Sequence, residues 1–493
     1  MSDEHGVLGR AGAVTMGRSL YVASLFVLNI GLARAMGPES FGAFQQVFIF
    51  NALFLILTLG IPETVYYFIP RLSGVERSRF LGQTFGLLLA SGLFTAVLFA
   101  AAAPLFAGLQ QNREIVQQLR MFGIFGGFFV AASFADPVFI TYKRTSYVFL
   151  LNTFHGIFLF GLTAWYYAAG VSSLKLFTAM AVFGALKYLL TLILLFSIRR
   201  EIGPVSIFSG KNTIPAQLTF AIPIILTTTV DIVSRWLDKF VVSSFFGAET
   251  FGVFFVGAIE IPFIAVLVAS VYSVISPLLN SFHHKGEMDK LIRLVNTTFK
   301  LLAKIVWPLF IYCFVFAGLL ITVVFRENFA GAVLPFRIYL MLVPLRIASY
   351  GIILIALGKP QTVFRAAVLA LLLNLVLNIV LAMTIGYVGP ALATVISTYF
   401  HVFILIVVIL RQTGASLSDL VPFRQLIAIA ITGGFAVLIA FTLSMAVQGD
   451  IAKLALSAPA FALSYLILGR QAGILRLSDF LIFFGGSAGG KEA

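Results

Sequence analysis

Charged residues are scarce in this chain, and acids are scarcer than bases. Only 11% of its 493 residues are Asp, Glu, Lys or Arg, while 60% are hydrophobic. An ordinary soluble protein carries about a quarter charged residues. So little polar surface excludes a disordered chain, and so much apolar surface exceeds what a soluble interior of this length can enclose. Cysteine is nearly missing. Cys313 stands alone, so no intrachain disulfide forms and the disulfide-stapled classes are excluded. Catalytic signatures are missing too. Gly210-Lys211-Asn212 lacks the glycine spacing and the Ser/Thr of a phosphate-binding loop, and no HExxH, CxxC or GxSxG occurs. The chain is expected to hydrolyse no ATP and to be no enzyme. His283-His284 has no ligand partners near it, so no metal or cofactor is expected.

What is there instead is a series of long apolar runs. The mean hydropathy is +1.05, and a membrane-spanning helix needs about 20 mostly apolar residues. The runs predict an all-α integral membrane protein of about fourteen spans. Their cores fall at 12–34, 41–69, 81–107, 117–142, 147–169, 174–197, 215–245, 252–280, 299–325, 335–357, 363–385, 388–410, 425–447 and 451–469. No convincing cleavage site precedes Gly37-Pro38-Glu39, so the first run reads as a spanning helix and not as a removed leader. The net charge of +14 would suggest nucleic acid in a soluble protein. Here the basic residues lie mostly in short connections, among them Arg77, Lys143, Arg199, Lys211, Lys290, Lys359 and Arg476. They outnumber those on the opposite connections about three to one. That bias expects no nucleic-acid partner, an even number of spans and both termini in the cytoplasm. The tail from Gly485 onward, including Lys491, reads as a flexible end.

An octapeptide recurs. Gly37-Pro-Glu-Ser-Phe41-Gly42-Ala-Phe44 returns as Gly247-Ala-Glu-Thr-Phe251-Gly252-Val-Phe254, at a constant offset of 210. Each copy closes one helix and opens the next. The offset implies two six-helix lobes, 1–209 and 210–410, related by a pseudo-two-fold axis along the membrane normal, an architecture of transporters. Residues 411–493 then add two further helices and the tail.

Ionisable groups near the bilayer centre cost about 2.5–3.5 kcal/mol each on insertion scales, so they face a cavity or a partner. Lys187 lies midway between Lys175 and Arg199, about 15 Å from either surface by helical rise. Arg346 is central in the tenth run. Asp231, Arg235 and Asp238 share one helix face at i, i+4 and i+7, and Lys239 beside them is expected to reach an interface. The positions 210 residues earlier are Tyr21, Leu25 and Leu28, so the fold does not itself require this charged stripe. Glu63 follows Pro62, Asp136 precedes Pro137 and Glu260 precedes Ile261-Pro262, and at a proline a helix can bend and free a carbonyl. Lys187, Arg235 and Arg346 are the candidates for attracting an anionic substrate. Asp231, Asp136, Glu260 and Glu63 are the candidates for charge balance or for coupling to Na+ or H+. His155 and His401 read as packed histidines. Trp236, Tyr188 and Tyr350 could offer a ring face to a substrate or simply pack.

Leu32-Ala-Arg-Ala-Met-Gly37-Pro-Glu-Ser-Phe-Gly42, Asp238-Lys-Phe-Val-Val-Ser-Ser-Phe-Phe-Gly247, Asn374 with Asn378, and Gly386-Tyr-Val-Gly389-Pro-Ala391 occur in this order. Together they resemble the bacterial oligosaccharide repeat-unit flippases, the Wzx-like polysaccharide-exporter branch of the multidrug/oligosaccharidyl-lipid/polysaccharide exporter superfamily. The two extra helices are similar to the fourteen-helix relatives that include the lipid II flippase branch. The resemblance implies a V-shaped pair of six-helix lobes with alternating access. It implies an inner-membrane flippase for polyprenyl-diphosphate-linked oligosaccharide, serving O-antigen or exopolysaccharide synthesis beside glycosyltransferases and a polymerase. The alternative is a cation-coupled multidrug exporter of the same superfamily. An integral-membrane glycosyltransferase or polymerase fits poorly, since no extracytoplasmic connection is long enough for its catalytic loop.

Overall fold

The computed structural model describes residues 2–203 and 213–475. Lys211, Arg476, Lys491 and the tail from Gly485 lie outside the described residues. Among those described every regular element is helical, as hydrocarbon demands: with no water to accept them, backbone groups must bond within their own segment. Among the described residues eleven helices can cross a membrane by length and composition, or twelve if one pair bent by 42° is a single span. The expected count of about fourteen is therefore not established. The difference has a physical origin. Val14–Arg71 and Pro360–Thr413 are 58 and 54 residues long. At 1.5 Å per residue each gives about 80–90 Å of helix, against a hydrocarbon core of about 30 Å. Each is long enough to cross twice.

The chain divides into two compact units, Met1–Gly252 and Val253–Ala493. The first unit holds α1 (Ser2–Phe48), α2 (Asn51–Leu57), α3 (Ile61–Phe68), α4 (Gly74–Leu109) and α5 (Val116–Ala132). It continues with α6 (Ala135–Thr141), α7 (Thr145–Ala169), α8 (Ser173–Ser197), α9 (Arg199–Ile202) and most of α10 (Ile214–Gly257). Helices approach closely where glycine removes the side chain. A Cβ on Gly92 of α4 would overlap the Gly127 carbonyl of α5, and one on Gly126 would overlap the Phe54 ring. Phe54, Phe99 and Phe122 are fully buried around that contact, with the Phe54 and Phe122 rings 4.8 Å apart. Lipid tails are as apolar as phenylalanine, so the gain here is dense packing and not escape from water.

The repeat is legible in the backbone. Gly37 and Gly247 break α1 and α10 with nearly the same torsions, φ 75°, ψ 175° and φ 77°, ψ −180°, a region essentially reserved for glycine. Five residues on, the two copies touch. A Cβ on Gly42 would overlap the carbonyl oxygen of Ala248, and a Cβ on Gly252 would overlap that of Pro38. Pro38 and Ala248 are the same position in the two octapeptides, so the contact is reciprocal.

The second unit holds α11 (Pro262–His284), α12 (Met288–Val315), α13 (Ala317–Phe325), α14 (Val333–Leu340) and α15 (Tyr350–Ala356). It ends with α16 (Pro360–Ile385), α17 (Gly389–Thr413), α18 (Leu417–Leu420), α19 (Phe423–Ser444) and α20 (Asp450–Gln471). Helices α19 and α20 pack on α12: Gly433 of α19 meets Ile311, the Tyr312 hydroxyl lies 3.0 Å from Ser457 Oγ of α20, and the Tyr465 hydroxyl of α20 donates to the Lys304 carbonyl at 3.0 Å.

Candidate functional site

Four of the intramembrane ionisable groups stand where a helix is interrupted. Glu63 follows a break at 58–60, where Leu59 and Gly60 both have φ 56°. Asp136 opens α6 just after the Ser133-Phe134 turn. Glu260 lies in the unwound stretch between α10 and α11, and Arg346 in the 3-10 turn Val343–Ile347 before α15. A proline lies within two residues of every one of them: Pro62, Pro137, Pro262 and Pro344. Proline lacks the N–H and crowds the preceding turn, so the helix yields there. Non-helical backbone at membrane depth survives where protein buries it or where it lines a cavity.

In the first unit Arg18 Nη2 is 3.4 Å from Asp136 Oδ2, with the side chains 54% and 31% exposed. Arg18, Asp136 and Glu63 all lie within electrostatic reach of the Tyr66 hydroxyl. Among the described residues no basic group is within ion-pair distance of Glu63. It lines a small cavity with Thr58, Thr228 and Thr229. Lys187 Nζ is 3.3 Å from His155 Nδ1. His155 is buried and rests 4.6 Å from the Tyr21 ring and 5.0 Å from the Phe183 ring. Packing and hydrogen bonding therefore coexist at this histidine. Asp136 is near enough to act on the Lys187 charge, but no carboxylate among the described residues is within 4 Å of it.

Asp231 and Arg235 pair with each other one turn apart on α10, both 62% exposed. Asp238, further along the same face, is buried. It accepts the Lys239 backbone N–H at 2.7 Å, and Lys239 Nζ is 3.5 Å away. Lys239 thus stays among protein groups, 16% exposed, where the sequence suggested that it reaches an interface. The nearby acid outcompetes the distant headgroup region. In the second unit Arg346 Nη2 donates to Glu260 Oε1 at 2.8 Å, with exposures of 47% and 55%. There too, Asn374 Nδ2 donates to Ser397 Oγ at 2.7 Å and Asn378 Nδ2 to the Asn374 carbonyl at 2.9 Å.

The three candidate cations therefore occupy three separate pairings: Lys187 with His155, Arg235 with Asp231, Arg346 with Glu260. The two arginines have their charge offset locally by a carboxylate, whereas the Lys187 ammonium meets an imidazole nitrogen. The aromatic candidates pack. Tyr350 is buried against Phe299 at 5.9 Å, Tyr188 is 5.8 Å from Phe128, and the Trp236 ring lies 6.0 Å from Lys239 Nζ. Sequence reasoning missed Arg18, counted among the loop cations. The available signal was Asp136, an acid at depth that needs a cation on a neighbouring helix.

Residues 31–334 match the family described as polysaccharide biosynthesis protein. The chain belongs to that family. Several solved structures share the fold. One is a lipid II flippase, MurJ, in an inward closed conformation, 16% identical with a TM-score of 0.73, over 97% of this chain and 99% of that one. Another is an inward-facing multidrug resistance MATE family transporter of the MOP superfamily, 15% identical, TM-score 0.65, over 84% of this chain and 96% of that one. A third, a MOP superfamily transporter from Pyrococcus furiosus described as having a binding pocket of reverse polarity, is 14% identical with a TM-score of 0.57, over 83% and 96%. No curated protein matches the sequence. This member of the polysaccharide biosynthesis family is thus a multi-pass membrane protein with a MurJ-like and MATE-like fold, the fold of flippases and transporters.

Proposed function

We propose that this chain is an inner-membrane flippase carrying a polyprenyl-diphosphate-linked oligosaccharide across the bilayer for surface polysaccharide synthesis, by alternating access. The observation that carries the reading is Lys187. By helical rise it sits near mid-membrane depth, 3.3 Å from His155 Nδ1 and with no carboxylate among the described residues within ion-pair distance, so its charge is available to an anionic passenger. A diphosphate is costly to move through hydrocarbon, and an ammonium or guanidinium offsets that cost by charge-assisted hydrogen bonds. Arg235 and Arg346 are held by half-exposed carboxylates. A diphosphate oxygen can take the place of Asp231 or Glu260 at little electrostatic cost. Asp136, Glu63, Asp231 and Glu260 then balance charge when the passenger leaves, or bind a coupling Na+ or H+. Both termini face the cytoplasm in this reading. The glycosyltransferases that build the glycan and a polymerase that joins repeat units are its working neighbours, and 1–209, 210–410 and 411–493 are its two repeat lobes and appendage.

The test is export of polymer in a strain lacking this gene. Lys187→Ala is expected to reduce surface polymer at least tenfold with normal membrane levels of protein, and Lys187→Arg to restore part of it. Full export by Lys187→Ala, Arg235→Ala and Arg346→Ala would remove the site. The MATE-like fold favours a second reading, a cation-coupled drug exporter using Glu63 and Asp136. Resistance conferred on a drug-sensitive host, abolished by Glu63→Gln, would choose it.

A further inference from the structure

Helices α7 and α8 are joined by only three residues, 170–172. Antiparallel neighbours so linked ordinarily pack along their length. These two are drawn apart by other partners. Helix α7 packs on α1, where Gly156 meets Ser24 and Gly31 meets Thr163. Helix α8 packs on α5, where Gly184 meets Phe125 and the Phe177 and Phe122 rings lie 5.6 Å apart. The seam left between them is a groove of about 570 Å³. Its floor is the stacked pair Phe158–Phe183, rings 3.9 Å apart, and its walls include Ile157, Val182 and Leu186, all more than half exposed. Gly161 falls on the same face of α7 by spacing, with open space where a side chain would stand.

The two ends of the groove differ. One end carries Lys175 and Trp165. No acid lines the groove, and among the described residues Lys175 has no ion-pair partner. Tryptophan beside lysine is the signature of the membrane–water interface. The other end stops at Leu186, next to Lys187. From Lys175 to Leu186 is about 16 Å by helical rise, close to half of a hydrocarbon core of about 30 Å. The groove is thus apolar, one leaflet deep, and cationic only at its mouth.

We infer that this seam binds one acyl chain of an anionic phospholipid from the leaflet at which α8 begins, with the Lys175 ammonium and the Trp165 indole N–H meeting the headgroup phosphate. The acyl chain fills the space above the Phe158–Phe183 stack, where α7 and α8 do not meet. The lysine selects a headgroup with net negative charge over a zwitterionic one, whose own cation cancels the attraction.

The test uses the full-length protein, delipidated in detergent and offered phosphatidylglycerol and phosphatidylcholine at equal concentration, with retained lipid read by native mass spectrometry. Phosphatidylglycerol is expected to be retained several-fold over phosphatidylcholine. Lys175→Ala should bring the ratio near one, and Ala179→Trp, which fills the groove, should remove both lipids. Lys175 is exposed, so its variant remains informative should the tryptophan variant misfold. Equal retention in the unaltered protein, or a preference that survives Lys175→Ala, would overturn the assignment. So would polyprenyl phosphate displacing phosphatidylglycerol at equal concentration, which would assign the groove to a carrier lipid.

Discussion

At the scale of single residues the membrane makes pairing cheap and isolation dear. Arg346 and Glu260 meet across 86 positions of chain, and both remain half exposed. A solvent-reachable pair of this kind is worth about 1 kcal/mol or less, too little to explain two charges at membrane depth as a stabilising device. Reversing the pair separates the explanations. Glu260→Arg and Arg346→Glu singly are expected to lower export. The double reversal is expected to restore membrane abundance without restoring export, because the cation now stands at the wrong place for a passenger. Recovery of export by the double variant, measured as surface polymer, would make the pair a strut.

At the scale of elements, glycine and proline decide where helices end, break and touch. Gly42 and Gly252 bring the two repeat copies into backbone contact, so a methyl at either position displaces a peptide group and not a flexible side chain. Gly42→Ala and Gly252→Ala are each expected to lower the unfolding temperature by several degrees in detergent. Gly434→Ala, in open space within α19, should be neutral or slightly stabilising through helix propensity. Equal midpoints for the three variants would contradict the contact. The short α18 has a different signal. Ser416 and Asp419 form a capping box, and the Ser416 hydrogen bonds hold the Asp419 carboxyl below its ordinary range. A depressed carboxylate contributes its stabilisation above the ordinary value and loses it as pH falls through the depressed one. Amide exchange in residues 416–421 is therefore expected to quicken, relative to the intrinsic rate, below about pH 4, and Ser416→Ala should remove that dependence. A cap that is indifferent to pH would contradict the geometry.

At the scale of the whole molecule, the fold is shared by proteins that carry very different cargo, so the fold cannot choose the passenger. The charges can. The proposed flippase is expected to confer no more than a twofold change in sensitivity to cationic drugs, since Lys187 repels them and Arg235 and Arg346 already occupy the carboxylates beside them. A large, energy-dependent resistance measured in a pump-deficient host would reverse that ranking.

Much of this was legible in the residues. Apolar runs of spanning length need no partner to be recognised, because each satisfies its own backbone and meets lipid with its own side chains. The octapeptide repeat is legible because the same backbone demand, a left-handed glycine between two helices, was met twice with the same letters. Prolines within two residues of Glu63, Asp136 and Glu260 marked three of the four interruptions. Which charge meets which was not legible. Arg18 finds Asp136 across 118 positions, and Lys187 finds His155 across 32, and periodicity within one helix says nothing about the rotation of its neighbour. The seam between α7 and α8 was hidden for the same reason: it exists because α1 and α5 claim those helices first. Sequence alone determined what lies in the membrane, since that is a sum over local residues. Tertiary structure decided which polar groups share a place, since that depends on distances the chain sets only when it is packed.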